Sequence, residues 1–192
     1  MGDSVSRKYE DIYRERAWAY GDKPDPDLIR ALVNVPRDKA LDLGGGQGRH
    51  ALALSALGFD VTLVDNAPTA LHQASEAAAD KGLPLHTVQA ELSAYEPPSG
   101  LQVCVAALLF HIPSKKTSLA IAGKIGGALA RQGVFYLSMP GYTKESEAFA
   151  HELLDAAGCK SEWVMKHLVT KSERPRLPVP RRNETRALGI KP

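Results

Sequence analysis

Apolar residues along the chain follow two alternating patterns. Short runs such as Val61-Thr62-Leu63-Val64 and Val103-Cys104-Val105-Ala106 are continuous and rich in β-branched residues. Longer stretches between them space their apolar positions three and four apart, as a helix face requires. The continuous runs read as strands buried on both faces. Their alternation with helices predicts an α/β, Rossmann-like fold: a seven-stranded, mostly parallel sheet with helices on both faces.

Caps and breakers set the expected boundaries. A first helix is expected over 7–18. A second is opened by Asp25 as N-cap and Pro26 at the first helical position, with Leu28, Leu32 and Val33 on one face. Strands are expected at 39–43, 60–65, 85–89, 102–107 and 134–139. Between them, a helix runs from the glycine turn at 44–48 to about 57, and another over 67–81, capped by Asn66 and ended by Gly82. Ser114 caps a helix to about 130 that Gly123, Gly126 and Gly127 weaken, and the last helix covers 144–157. Strands at 162–169 and 184–190, joined by a Pro- and Arg-rich segment, suggest an antiparallel closing hairpin. One domain is expected over 1–192, with a helical cap at 1–36, a core at 37–192 and a substrate loop at 171–183.

Composition changes this picture only at the C-terminal end. With 192 residues, 44% hydrophobic, and a net charge of +2, the chain has an ordinary core and no overall charge suited to nucleic acid. Between Lys160 and Pro192, however, nine Lys/Arg stand against three Asp/Glu, so the rest is net acidic. Such a tail is either a site for an anionic partner or a solvated loop. Cys104 and Cys159 form no spaced motif, and no metal-ligand pattern is present. The first ten residues are too polar for a signal peptide, and the apolar stretch 103–110 is too short to span a bilayer. A cytoplasmic protein, monomer or homodimer, is expected, with a small-molecule partner and neither membrane nor nucleic acid.

The strongest chemical signal is Leu41-Asp42-Leu43-Gly44-Gly45-Gly46-Gln47-Gly48-Arg49. A buried strand runs into a glycine turn and then a helix, the arrangement that lets backbone approach a ligand. Dinucleotide spacing fails from Gly44, where the sixth position is Arg49; from Gly46 it ends on Ala51, which some variants tolerate, so spacing alone does not exclude a dinucleotide. Asp42 disfavours a pyrophosphate and suits an ammonium. Asp65, 21 residues beyond Gly44, can accept from both ribose hydroxyls. A nucleoside carrying an amino acid meets all three demands, and S-adenosylmethionine is such a molecule.

The pattern of Asp42, Gly44, Gly46 and Gly48 resembles motif I of the class I S-adenosylmethionine-dependent methyltransferases, and 61–65 resembles their motif II. The segment 20–26 is similar to one common in the small tellurite-resistance methyltransferases. The resemblance implies that the cofactor, released as S-adenosylhomocysteine, rests on Gly44, Gly45, Gly46, Gly48 and Arg49. It adds Asp65 and Asn66 at the ribose, Ala90, Glu91 and Leu92 at the adenine, and Ala107 and Leu108 where cofactor meets acceptor. Tyr13 and Tyr20 would close the pocket. The family's tail nominates His167, Arg174 and Arg182 for activity.

His111, just after the fourth strand, stands where the methyl group should emerge and is a base suited to neutral pH. The expected reaction is methyl transfer to a small acceptor: an anion, a thiol or a metalloid. Methylation of RNA or protein, a non-catalytic cofactor-binding role, and a nicotinamide-dependent protein are the competing readings.

Overall fold

The computed structural model describes residues 2–169 and 182–192. Among the described residues, six helices and seven strands follow one another. In chain order they are α1 (Gly2–Glu15), α2 (Pro26–Ala31), β1 (Lys39–Leu43), α3 (Arg49–Ala56), β2 (Asp60–Asp65), α4 (Pro68–Asp80), β3 (His86–Gln89) and β4 (Leu101–Ala107). Then come α5 (Lys115–Ala128), β5 (Leu129–Pro140), α6 (Lys144–Ala156), β6 (Lys160–Val169) and β7 (Arg182–Ile190). Among the described residues, no helix is long and apolar enough to cross a membrane.

All seven strands form one sheet in the order β3-β2-β1-β4-β5-β7-β6. The first five are parallel to their neighbours, and β7 runs antiparallel between β5 and β6. The closing hairpin is therefore present, with its second strand inside the sheet and its first at the edge. Strand order reverses between β1 and β4, and their carboxyl ends open the crevice where such sheets bind ligands.

Continuous apolar runs are explained by the two faces. Leu41, Cys104, Phe135 and Leu137 point toward α5 and α6, with Ile121, Ile125, Leu153 and Leu154 packed over them. Ala40, Val103, Val105, Val134 and Tyr136 point the other way, under Leu28, Leu54 and Leu71. A strand covered on both sides has no polar position to spare.

Local chemistry moved several boundaries. The first helix stops at Glu15 rather than 18, and Trp18 takes a left-handed φ of 54°. Val33 is 69% exposed, so it does not join Leu28 and Leu32 in the core. Asp25 has the extended backbone of an N-cap but gives α2 no side-chain cap bond. Nor does Asn66 cap α4, whose N-cap is Ala67 followed by Pro68. Ser114 does cap α5, accepting from the Thr117 N–H. Helix α5 runs unbroken past its glycines. A Cβ on Gly126 would run into the carbonyl oxygen of Ala157, so glycine there lets α5 lie close to the end of α6. Strand β5 begins five residues early because the pairing with β4 shifts register between Leu101 and Val103, absorbing Arg131-Gln132-Gly133.

Candidate active site

A cavity of about 1020 Å³ opens at the carboxyl ends of β1, β2, β4 and β5. Its floor is the glycine turn. Gly44 donates its N–H to the Val64 carbonyl (2.7 Å), Gly48 to that of Gly45 (3.0 Å), and Gly46 to Asp65 Oδ2 (2.8 Å). Gly46 has a φ of 54°, and a Cβ there would stand 2.5 Å from the Tyr13 hydroxyl. Both facts demand glycine.

Asp65 ends β2 and lines the cavity. Its Oδ1 accepts from the Ala67 N–H (3.0 Å) while Oδ2 holds Gly46. Burial raises its carboxyl above the usual value, and the N–H groups of Ala67, Gly46 and Asn66 oppose that rise. Each oxygen keeps a lone pair for a ligand hydroxyl.

Asp42 departs from its expected role. It is fully buried behind the turn, outside the cavity lining, with Oδ2 accepting from the Ala51 N–H (3.0 Å) at the start of α3 and Oδ1 lacking a partner among the described residues. Its strand position points it at α3, so it braces the turn rather than meeting an ammonium. Burial raises its carboxyl to about 7, against the pull of the Ala51 N–H and Arg49.

Tyr13 and Tyr20 line the cavity with Tyr9, their ring centroids 6.3 to 6.4 Å apart. Burial, then Asp65, raises the Tyr13 hydroxyl well above its usual value, so it stays a neutral donor. Gln47 locks this lid to the turn. Its Oε1 accepts from the Ala19 N–H (2.7 Å), and its Nε2 donates to the Arg16 carbonyl (2.9 Å) and Gln73 (2.7 Å). This role was not legible from residue order, since the second variable position of a glycine turn carries no pattern.

Gly44, Gly45, Arg49, Asn66, Glu91, Leu92, Ala107 and Leu108 also line the cavity. Gly48 and Ala90 support it from behind, Ala90 donating to the Asp65 carbonyl (3.0 Å). Leu108 has a φ of 56° and donates its N–H to the Ser138 carbonyl (2.8 Å). A branched side chain in that region is strained backbone, of the kind held at working sites. His111 lies exposed at the rim.

Beside the cavity is a buried ionic cluster that sequence reasoning missed. Asp25 accepts from Arg49 Nη1 on Oδ1 (2.8 Å) and from the Tyr136 hydroxyl on Oδ2 (2.9 Å), with His50 Nε2 at 3.4 Å from Oδ2. Arg186, wholly buried on β7, reaches Asp27 Oδ2 (2.8 Å), Asp25 Oδ1 (3.3 Å) and Glu184 Oε2 (3.3 Å). This explains the missing cap on α2: the Asp25 carboxylate is drawn inward. A signal existed in Glu184 and Arg186, two opposite charges two residues apart and so on the same face of one strand. Arg49 lines the cavity, and its Nη2 is buried with no hydrogen-bond partner among the described residues.

His167, on β6, has Nδ1 3.5 Å from Asp27 Oδ2 and lies outside the cavity lining. Arg174 and most of the loop expected at 171–183 lie outside the described residues, as does the side chain of Arg182, which begins β7. Among the described residues, two tail cations are spent within the fold: Arg186 in the cluster, and Lys191, whose Nζ donates to the Ala157 carbonyl (3.1 Å).

The comparisons agree with this geometry. A family described as a methyltransferase domain matches residues 40–133, from β1 through the start of β5. The probable S-adenosyl-L-methionine-dependent methyltransferase TehB of Haemophilus influenzae is 31% identical over 107 residues, 53% of this chain and 37% of that protein. The chain spans only 22% and 37% of the length of two curated relatives it matches. A TehB-like S-adenosylmethionine-dependent methyltransferase from Corynebacterium glutamicum superposes with a TM-score of 0.67 at 22% identity, covering 100% of both chains. A structure concerned with conversion of a disulfide bond into a thioacetal group during echinomycin biosynthesis gives 0.72 at 18%, over 97% of this chain and 92% of that one. Residues 40–133 thus match the methyltransferase-domain family, and the fold is that of the S-adenosylmethionine-dependent methyltransferases on which the chain superposes.

Proposed function

We propose that this chain transfers the methyl group of S-adenosylmethionine to a small acceptor with an anionic group and an apolar body. The observation that carries the reading is the division of one cavity along the sheet. On the β2–β3 side stand the carboxylates of Asp65 and Glu91. On the β4–β5 side stand Leu109, Ile112, Pro113 and Pro140, with His111 among them. Lys8 and Arg49 supply positive charge to the lining.

The residues present fit the cofactor. Asp65 suits the two ribose hydroxyls, Glu91 and Leu92 the adenine, and Arg49 Nη2, unpartnered among the described residues, the amino-acid carboxylate. Bound there, the cofactor supplies a methyl group already activated by its sulfonium. The chain's own work is then alignment and exclusion of water. Tyr9, Tyr13 and Tyr20 cover the cavity, Gln47 ties them to the turn, and Leu108 fixes the wall where the acceptor lies. Lys8 and His111 hold the acceptor's anion. His167, Arg174 and Arg182 remain candidates for the acceptor side. The sulfur chemistry named for the echinomycin structure favours thiols as first acceptors to try.

Calorimetric titration with S-adenosylhomocysteine tests the reading on wild type and Asp65→Ala. Micromolar binding lost in the variant is expected, followed by S-adenosylhomocysteine production with anionic and aromatic thiols. Absence of binding to wild type overturns it.

A further inference from the structure

We propose that α1 is a gate over the cofactor, latched by Gln47 and Gln73, and that breaking this latch sets the rate at which S-adenosylhomocysteine leaves. This rests on the function proposed above and makes Gln73, which lies outside the cavity lining, a positioning residue.

One wall of the cavity is a separate piece of the molecule. Helix α1 brings Lys8, Tyr9, Ile12 and Tyr13 to the lining, whereas the turn and the strand ends supply the floor and the far side. Strands bonded on both sides cannot swing aside. Helix α1 is held far less by apolar burial. Among its described side chains only Tyr13 is buried, in a small cluster with Ala19, Ala67 and Ala70 that is separate from the two cores over the sheet.

What holds α1 down is polar and reciprocal. The last carbonyls of a helix have no partners within it. At the end of α1 the Tyr13 carbonyl accepts from Gln73 Nε2 (3.1 Å), and the Arg16 carbonyl just beyond accepts from Gln47 Nε2 (2.9 Å). Gln47 also donates to Gln73 Oε1 (2.7 Å) and accepts from the Ala19 N–H (2.7 Å). The two amides therefore form one chain from the glycine turn to α4, with the end of α1 tied across it. In return, Glu10 of α1 accepts from the N–H (3.3 Å) and hydroxyl of Thr69 at the start of α4, a helix whose own N-cap residue makes no side-chain bond. Helix α4 is the fixed partner, since its Leu71 and Ala74 are core residues.

A hinge adjoins the latch. Between α1 and α2 the backbone is left-handed at Trp18 (φ 54°) and Gly21 (φ 89°). A tryptophan in that region is held there by its surroundings, and the Gln47 bond to the next residue is one of them. Releasing Gln47 lets Trp18 relax, which favours the open lid. Hydrogen bonds of modest net strength suit a gate: they break and reform while the sheet stays folded. Opening of such a lid commonly limits product release.

Two measurements test this. In the first, backbone hydrogen exchange is followed in wild type with and without saturating S-adenosylhomocysteine, with binding read by calorimetry on the same sample. Amides of α1 should exchange faster than those of α4 in the free protein and slow by about tenfold or more at saturation. Binding that leaves α1 unchanged overturns the proposal, and no binding overturns the function beneath it. In the second, association and dissociation of S-adenosylhomocysteine are timed by stopped flow in wild type and in Gln73→Met, which keeps the side-chain length and loses both bonds. Dissociation should speed up about five- to tenfold, the scale of one net hydrogen bond, while association does not slow. Unchanged dissociation overturns the proposal. Slower association also overturns it, because Gln73 would then shape the site rather than latch the lid. If the variant does not fold, the wild-type exchange result decides.

Discussion

The hydroxyl of Tyr13 occupies the space that a side chain on Gly46 would fill, 2.5 Å from where its Cβ would stand. The lid helix and the glycine turn thus fix each other's position. Gly46→Ala must displace Tyr13 and also hold a positive φ that costs about 1–2 kcal/mol for a residue with a side chain. Affinity for S-adenosylhomocysteine should fall at least about tenfold, equivalent to 1.4 kcal/mol. Calorimetry beside a thermal melt checks it; wild-type affinity in a folded variant would show that turn and lid are independent.

Asp42 makes stability depend on pH in an unusual direction. Its folded-state value near 7 lies above the usual 3.8, so the folded protein binds the proton more tightly. The contribution is full below pH 3.8, declines through the window between, and is gone above 7. Its size is on the order of a few kcal/mol. Asp42→Asn cannot ionise, and the difference in unfolding free energy between pH 5 and pH 8 should shrink. Urea unfolding at both pH values decides it; an unchanged difference would mean that the group ionises freely in the fold.

Arg186 neutralises three acids that water does not reach. Its replacement by Met removes the guanidinium that joins Asp25, Asp27 and Glu184, leaving Arg49 on Asp25 and the largely exposed Arg30 on Asp27. The expected loss is about 3–5 kcal/mol by urea unfolding. Adding Glu184→Gln to Arg186→Met should recover part of it, because one uncompensated charge is removed. A loss below about 0.5 kcal/mol, the scale of a surface substitution, would argue that the cluster is not closed to solvent.

Two neighbouring glycines in α5 should respond oppositely to alanine. Gly127 has open space where a Cβ would go, so Gly127→Ala should stabilise by about 0.5–1 kcal/mol through helix propensity. Gly126→Ala drives a methyl into the Ala157 backbone and should destabilise by about 1–3 kcal/mol. Melting temperatures of the pair separate the effects; the same sign for both would refute the packing described.

How much of this was legible in the sequence depended on whether the signal was local. Strands β1 and β2 begin and end where the apolar runs do, since a strand buried on both faces has no other way to be written. Strand β5 did not, because Arg131-Gln132-Gly133 looks like a turn and becomes a register shift only when β4 lies beside it. The glycine turn and Asp65 were readable from spacing, and both meet in the structure through the Gly46 N–H. Asp42 was readable as important but not in its direction, which depends on the face of β1 that α3 covers. The cluster around Asp25 was hidden because its members come from 25–27, 49–50, 136 and 184–186. In sequence Asp25 looks like a helix cap; only β7, threaded between β5 and β6, brings the arginine that draws its side chain inward.

That threading has a consequence for how the molecule comes together. Residues 182–190 pair with 129–140 on one side and 160–169 on the other, so β5 waits some forty residues of chain for its partner. Such non-local pairing is slow. Until it happens β5 presents an open edge, a template for pairing with another molecule. The strand that seals this edge is also the one that delivers Glu184 and Arg186. Aggregation resistance and the ionic wall beside the cavity are therefore acquired in one event, and a nascent or damaged chain that lacks β7 forfeits both.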